Sequence, residues 1–114
     1  MRLTDENGTI IAVNDAFCKL VSMRREDLEG KPFTVIIADS ELPGRMLEEF
    51  RQRFQDRVVG KQRERRLKLH NGNIVTLEDT NSFVELRGQP SLLLEQFRDL
   101  TAQKRLEEQL RQSQ

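Results

Sequence analysis

The most constraining feature of this sequence is the dipeptide Asn71-Gly72, which lies between two segments that alternate between apolar and polar residues. Asn-Gly between alternating segments is a strong hairpin signal, because both residues tolerate positive φ. The alternation predicts an antiparallel pair of strands, an exposed one over residues 60–70 and a longer one over residues 73–86. A turn at residues 87–90 then leads into a third strand over residues 91–98, so this half of the chain predicts an antiparallel sheet.

The N-terminal half predicts a second, shorter hairpin followed by helices. A turn ending at Gly8 separates two short strand-like segments. Asn14 or Asp15 is placed to cap the first helix. On the longest predicted helix, Met46, Leu47, Phe50 and Phe54 share a face. The remaining predicted elements are strands over 1–4 and 9–13, a short helical piece over 24–29, a helix over 45–56 and a final helix over 102–114. Strands at both ends of a helical middle predict an α+β fold.

Composition limits the class of protein. The chain has 114 residues, with 19 basic and 19 acidic side chains and a single Cys. That length predicts one domain, and the absence of a long apolar run or a signal-peptide pattern predicts a soluble protein. One Cys cannot form an intrachain disulfide and fits the reducing cytoplasm. The balanced charge argues against nucleic acid as a partner, and we expect no membrane contact by this segment.

Three segments in register resemble the PAS domains of bacterial signal-transduction proteins. They are DENGTIIAVNDAF at residues 5–17, RREDLEGKPF at 24–33, and FRDLT followed by QKRLEE at 97–101 and 103–108. In PAS proteins these segments correspond to the entry from strand to helix, a helical turn that ends in Gly-Lys, and a junction that leads into a signalling helix. Together they span nearly the whole chain.

The resemblance implies a five-stranded antiparallel sheet in the order 2-1-5-4-3, with short helices over one face that often enclose a ligand cavity. We therefore expect a PAS sensor domain over residues 1–101 and the start of an amphipathic linker helix over 102–114. A first strand of only four residues, and a helix that still continues at Gln114, predict that the sequence is part of a longer protein.

The resemblance also indicates which cofactors to look for. Haem-binding PAS domains usually supply a His from the long central helix, but the only His here, His70, lies beside the predicted Asn71-Gly72 turn. Photoactive flavin-binding PAS domains carry a reactive Cys within Asn-Cys-Arg, a motif that this chain lacks. Cys18, on the first helix, is expected to be a small core residue. We expect neither haem, nor flavin, nor a metal ion.

The longest predicted strand supplies the candidate ligand site. Its residues of one parity are apolar at both ends but polar at Asp79 and Asn81, so these two side chains should face the helices, where polar groups need partners. We interpret them as the floor of a cavity that binds a polar ligand or ordered water. The alternatives are a bulge that reverses the register at Asp79, or a helical layer that stops short of it. The full candidate set is Asp79, Asn81, Leu77, Phe83, Phe50 and Phe54.

Charge is uneven along the chain. Residues 45–70 contain nine basic side chains against four acidic ones, a net charge of +5. Such a stretch could attract an anionic ligand, membrane or nucleic acid, but we interpret it as a solvated helix and edge strand. The basic residues are Arg45, Arg51, Arg53, Arg57, Lys61, Arg63, Arg65, Arg66 and Lys68.

The C-terminal segment predicts an exposed amphipathic helix. Leu106 and Leu110 lie four residues apart, as they would in a short coiled coil, although the segment is under two heptads long. We interpret it as a signalling helix that continues into a parallel homodimer; the alternative is a helix that folds back on its own sheet. Asp99 and Thr101 stand where sheet meets helix, and the resemblance implies that they couple the sensor to the output.

These features predict a non-catalytic sensory module that binds a small ligand or dimerises and relays the change to a covalently linked output domain, such as a histidine kinase or a cyclase. No nucleophile–base pair stands out, so we assign no catalytic residues. The alternative is a purely structural dimerisation module without a ligand. A small α+β hydrolase or isomerase is a third possibility, and it lacks a supporting constellation of residues.

Overall fold

A computed structural model describes residues 1–58 and 63–114. Five strands form one antiparallel sheet in the order β2-β1-β5-β4-β3, which is the order that the resemblance implies. The strands are β1 (Arg2–Thr4), β2 (Ile10–Val13), β3 (Arg63–Lys68), β4 (Ile74–Val84) and β5 (Leu92–Asp99). The fold class is therefore α+β, as predicted.

The helical elements lie between β2 and β3 and after β5. Asn14 caps the first helix, because its side-chain oxygen accepts a hydrogen bond from the backbone N–H of Phe17 at 3.0 Å. The helices are α1 (Asp15–Val21), α2 (Arg25–Leu28), α3 (Pro43–Gln55) and α4 (Thr101–Gln112), with two 3-10 turns at Phe33–Ile36 and Asp39–Glu41. The final helix begins one residue earlier than the sequence predicts.

The apolar core lies between the helices α1 to α3 and one face of the sheet. Ile10, Val21 and Leu28 are fully buried there. The predicted inner face of α3 is also observed: Phe54 is buried, and Met46, Leu47 and Phe50 pack at the edge of the core. Alternate residues of the strands point toward the helices and line the inner face of the sheet.

Gly8 holds the first hairpin close to α3. Its φ of +83° is a conformation that side chains rarely adopt, and a Cβ atom there would lie 2.6 Å from Cδ1 of Leu47. The positive φ of the turn therefore favours glycine, and any larger residue would also displace the end of the Leu47 side chain. Arg2 of β1 shares a cavity wall with side chains of α3.

Two predictions concern residues outside this description. The first residues of the predicted strand over 60–70 and Lys61 of the basic stretch lie outside the described residues. Within residues 1–58 and 63–114, no helix is both long enough and apolar enough to cross a membrane.

Candidate functional site

Two small cavities lie between α3 and the inner face of the sheet. The outer cavity, of about 60 Å³, has side chains of α3, β3, β4 and β5 around it, including Phe50, Phe54, Asp79, Asn81 and Phe83. The inner cavity, of about 30 Å³, extends toward α1 and is mostly apolar, with Leu77 in its wall. Four charged residues line both cavities: Arg2, Arg65, Asp79 and Glu95. A water needs roughly 10–15 Å³, so the outer cavity has room for about four or five waters or a comparably small molecule.

An ion pair lies at the centre of the shared wall. Nη2 of Arg2 on β1 donates to Oε1 of Glu95 on β5 at 2.7 Å, and both side chains are only 6% exposed. The two residues are direct partners in the β1–β5 register, which fixes their approach. Because burying two charges costs several kcal/mol per ion before their attraction is counted, this pair is not explained by stability alone.

Aromatic rings surround the guanidinium of Arg2. Its central carbon lies 5.6 Å from the ring centre of Phe17, 5.1 Å from Phe33 and 5.0 Å from Phe97. Such contacts attract a cation to the faces of the rings, most strongly where water is excluded. Nε of Arg2 nevertheless has no hydrogen-bond partner among the described residues. The rings pack around the guanidinium but offer its Nε no acceptor.

Asp79 lies beside this ion pair and is 4% exposed. Burial raises the pKa of Asp79 to about 7, and the neighbouring carboxylate of Glu95 adds to the rise. Burial also opposes the charge on Glu95, but the charge and the hydrogen bond of Arg2 outweigh it and hold the pKa of Glu95 below its ordinary value. The two carboxyls therefore differ: Glu95 is ionised, whereas Asp79 changes its protonation near neutral pH.

Arginines of β3 complete the electrostatics of the outer cavity. Arg63 lies directly opposite Asp79 in the β3–β4 register, and Arg65 is two residues further along the same face. Both are half-buried in the cavity wall. Burial lowers the pKa of Arg65, and the charge of Arg63 lowers it further. We call Arg2, Arg65, Asp79 and Glu95 the charge cluster.

This arrangement corrects the interpretation of the basic stretch as one solvated surface. Alternation along β3 divides it, since Arg63 and Arg65 face the cavity while Arg66 is exposed on the other side. On α3, Arg53 lies at the cavity, whereas Arg45 is exposed and pairs with Glu49 at 3.3 Å. Part of the predicted edge strand is thus a wall of the site.

The sequence-predicted cavity residues come together as a group. Asp79, Asn81, Phe50, Phe54 and Phe83 all line the outer cavity, and the rings of Phe54 and Phe83 meet edge to face at 5.1 Å. The β4 register runs past Asp79 without a shift on either side, so no bulge turns Asp79 outward. The role of these residues in binding a ligand stays a prediction.

Sequence reasoning missed Arg2 and Glu95. Glu95 has the same parity as Leu93 and Phe97, a pattern that would have placed it on the inner face beside Asp79. Arg2 alternates with Leu3 in the same way, but a three-residue strand offers too few positions to show which parity faces inward. The pairing of β1 with β5, which brings Arg2 to Glu95, is a long-range contact that local patterns do not contain.

The predicted relay junction is a compact hydrogen-bonded unit. Oδ1 of Asp99 accepts from the backbone N–H of Thr101 at 2.9 Å and from its hydroxyl at 2.6 Å. Oγ1 of Thr101 in turn accepts from the backbone N–H of Thr76 at 3.0 Å, and the N–H of Leu100 donates to the carbonyl of Thr76 at 2.8 Å. The start of α4 is therefore bonded directly to β4, three residues from Asp79.

The two leucines of the final helix face solvent. Leu106 is 56% and Leu110 57% exposed. The first turn of α4 reaches the sheet at Lys104, whose Nζ lies 3.0 Å from Oε1 of Glu64 on β3. The helix does not cover its own sheet with its apolar side, contrary to the fold-back alternative.

His70 and Cys18 lie away from the cavities. The His70 ring is exposed, with Nε2 3.0 Å from the carbonyl oxygen of Val21. Cys18 is half-buried against the core, as expected for a small hydrophobic side chain. No group of three or more potential metal ligands occurs within residues 1–58 and 63–114.

The sequence matches one known protein family over most of its length. Residues 1–102 match the family described as "PAS domain". The chain belongs to the PAS domain family. A search of curated proteins finds no significant match for this PAS domain.

Solved structures similar to this PAS domain share its fold. The PAS domain of Bordetella pertussis BvgS has a TM-score of 0.67 at 19% identity, covering 99% of this chain and 87% of that one. A PAS domain of a two-component sensor histidine kinase has a TM-score of 0.62 at 23% identity, with 86% and 81% covered. The PAS domain of the Cronobacter turicensis RpfR quorum-sensing receptor, in complex with C12:0, has a TM-score of 0.64 at 19% identity, with 88% and 91% covered.

Proposed function

We propose that this PAS domain is a non-catalytic sensory module that binds a small polar ligand in the outer cavity. The observation that carries the proposal is the charge cluster in the cavity wall. Two of its buried polar atoms, Nε of Arg2 and Oδ1 of Asp79, have no hydrogen-bond partner within residues 1–58 and 63–114. Buried polar groups without partners are costly, so their retention beside a cavity points to something that binds there. Solved PAS domains with bound molecules, such as that of RpfR with C12:0, support the use of this fold for ligand binding.

We further propose that the bound state is relayed through β4 and β5 to α4. Asp79 and Thr76 lie on the same strand, and Thr76 bonds to Leu100, which precedes α4, and to Thr101, its first residue. A shift of β4 by a fraction of an ångström would move both bonds together. The output is a covalently linked domain, such as a histidine kinase, in the cytoplasm.

The second candidate is a dimerisation module without a ligand. It is favoured by the small volume of the cavities and by the exposed Leu106 and Leu110. Two copies of α4 side by side would bury these leucines against each other. The two candidates are compatible in one protein, because a sensor can also dimerise, but only the first needs an occupied cavity.

A ligand screen with a matched pair of variants separates the two candidates. Purified protein is mixed with small neutral, cationic and anionic metabolites, and the shift in Tm is measured. Asn81→Phe should block the outer cavity, whereas Thr80→Phe, one residue away and exposed on the opposite face, should not. At least one compound is expected to raise the Tm of the wild type and of Thr80→Phe but not of Asn81→Phe. If no compound does so, the cavity is not a ligand site and the dimerisation module remains.

A further inference from the structure

The cations around the outer cavity outnumber the anions available to neutralise them. Among the described residues, Arg53, Arg63 and Arg65 make no ion pair, although all three line the cavity. Of the acidic residues in the wall, Glu95 is already paired with Arg2 and Glu49 with Arg45. The remaining acid is Asp79.

Asp79 neutralises little of this charge at neutral pH. Its pKa is raised to about 7 by burial and by the adjacent Glu95, so it is partly protonated at neutral pH. The charged groups that face it are Glu95 on β5, Arg2 on β1, Arg63 and Arg65 on β3, and Arg53 and Glu49 on α3. The cavity therefore has a positive potential, and this potential grows as Asp79 takes up its proton.

The donors in the wall suit a planar anion. Nε of Arg2, on a residue that is 5% exposed, has a hydrogen that no acceptor among the described residues uses. The Arg65 guanidinium is a fork that can bond both oxygens of a carboxylate. Phe50, Phe54 and Phe83 supply apolar wall to the same cavity. A cavity of about 60 Å³ limits the occupant to roughly five non-hydrogen atoms.

We propose that the outer cavity takes a small monocarboxylate, with its carboxylate against Arg2 and Arg65 and its short apolar end against the phenylalanines. The inference rests on the proposed ligand-binding function and specifies its chemical class. Asp79 acts as the pH-dependent element of the site, because an ionised Asp79 repels the incoming carboxylate. A chain as long as C12:0 does not fit a cavity of this volume, so this site differs in its occupant from that of RpfR.

The test compares acetate with acetamide, which has nearly the same shape but no charge. Binding is followed by backbone amide shifts in NMR spectra of the full chain at pH 6, in a buffer without carboxylates. We expect acetate to bind at least about tenfold more tightly than acetamide and to shift the amides of Asp79 and Glu95. C12:0 and inorganic phosphate should not displace acetate at equal concentration. Equal affinity for acetate and acetamide, or tighter binding of phosphate, overturns the monocarboxylate assignment.

Matched variants show whether the charge acts inside the cavity. Arg65→Gln should weaken acetate binding about tenfold or more, whereas Arg66→Gln, on the exposed face of β3, should change it less than about twofold. If Arg65→Gln perturbs folding, Arg53→Gln, an exposed residue at the cavity, should weaken binding severalfold without affecting the fold. Equal losses in the Arg65 and Arg66 variants would mean attraction to the surface alone, and would overturn the site.

The pH dependence gives an independent readout. If binding requires protonated Asp79, acetate affinity falls about tenfold between pH 6 and pH 8, and Asp79→Asn removes that dependence. A flat wild-type profile contradicts the assigned role of Asp79. If acetamide shifts the cavity amides while acetate does not, the ligand site stands and only its anionic class fails. If neither probe shifts them, and the wider screen finds nothing blocked by Asn81→Phe, the ligand-binding function itself fails.

Discussion

The two ends of β4 line very different halves of the same core. Val75 and Leu77 face an apolar region beneath α1, with Leu28 and Val21 fully buried nearby. Asp79 and Asn81, only a few residues on, face charges and a cavity beneath α3. The first half follows the usual rule that interiors are close-packed and apolar. The second half departs from that rule, and the proposed ligand site lies there.

The largest expected effect comes from removing one partner of the buried ion pair. Arg2→Met leaves the Glu95 carboxylate buried and unpaired, which should lower the free energy of unfolding by about 3–5 kcal/mol. Arg2→Met combined with Glu95→Leu should recover most of that loss, because well-packed apolar groups can replace a buried pair. Urea unfolding of both variants measures the difference.

The apolar half provides the control for this rescue. Leu28→Ala should cost about 2–5 kcal/mol, and no second substitution at a contacting apolar residue should restore it. If the Arg2 and Glu95 double variant is as unstable as Arg2→Met alone, the ion pair is a packing element like Leu28, and the contrast between the two halves disappears.

The second prediction concerns pH. The pKa of Asp79 is raised in the folded state, so the native protein binds more protons than the unfolded chain between the ordinary pKa of an aspartate and pH 7. Stability should therefore fall as pH rises through this range, by at most about 1.4 kcal/mol for each pH unit. Comparing wild type with Asp79→Asn at pH 5, 6 and 7 isolates this contribution. A difference between the two that does not change with pH would contradict it.

Most elements of the fold can be predicted from the sequence, but only part of the charge cluster can. The Asn71-Gly72 turn, the Asn14 cap and the alternation along β4 are local patterns, and each predicted element is observed close to its expected bounds. Alternation along β4 predicts that Asp79 faces inward, because its carboxyl lies among apolar residues of the same face. The neighbouring ion pair of Arg2 and Glu95 cannot be predicted in this way, because it depends on β1 pairing with β5 across 93 residues.

The basic residues show the same limit. Counting charge along residues 45–70 identifies a basic stretch but does not separate Arg65 from Arg66, which face opposite sides of β3. Local alternation could have divided them only if the inward parity of β3 had been known. The register with β4 determines which residues of β3 point inward: Arg65 is paired with Leu77, and both lie on the inner face.

A smaller effect is expected at the junction with α4. Thr101→Val removes the hydroxyl that donates to Asp99 and accepts from the N–H of Thr76, at a cost of about 1 kcal/mol. Hydrogen exchange in the first turn of α4 should speed up, whereas Ser113→Ala at the far end should leave that turn unchanged. Unchanged exchange in Thr101→Val would mean that the bond between Thr101 and Thr76 does not stabilise the start of α4, and would contradict the proposed connection between β4 and α4.

The smallest effect on stability is expected at the exposed leucines. Leu106→Glu combined with Leu110→Glu should leave the Tm of the monomer nearly unchanged, because both side chains are already in solvent. The same double variant should reduce self-association in sedimentation experiments if α4 forms the dimer contact. Arg105→Glu on the same helix serves as the control for the added charge.

The most direct test is the titration of Asp79 itself. The side-chain carboxyl carbon of Asp79 can be followed by NMR from pH 3 to pH 9, with Asp79→Asn used to assign its resonance. The charge cluster predicts a midpoint near 7, because burial and Glu95 together oppose ionisation. A midpoint near 4, the ordinary value for an aspartate, would mean that Asp79 is solvated or fully neutralised by the arginines. It would contradict the view of this half of the core as a charged, proton-sensitive site.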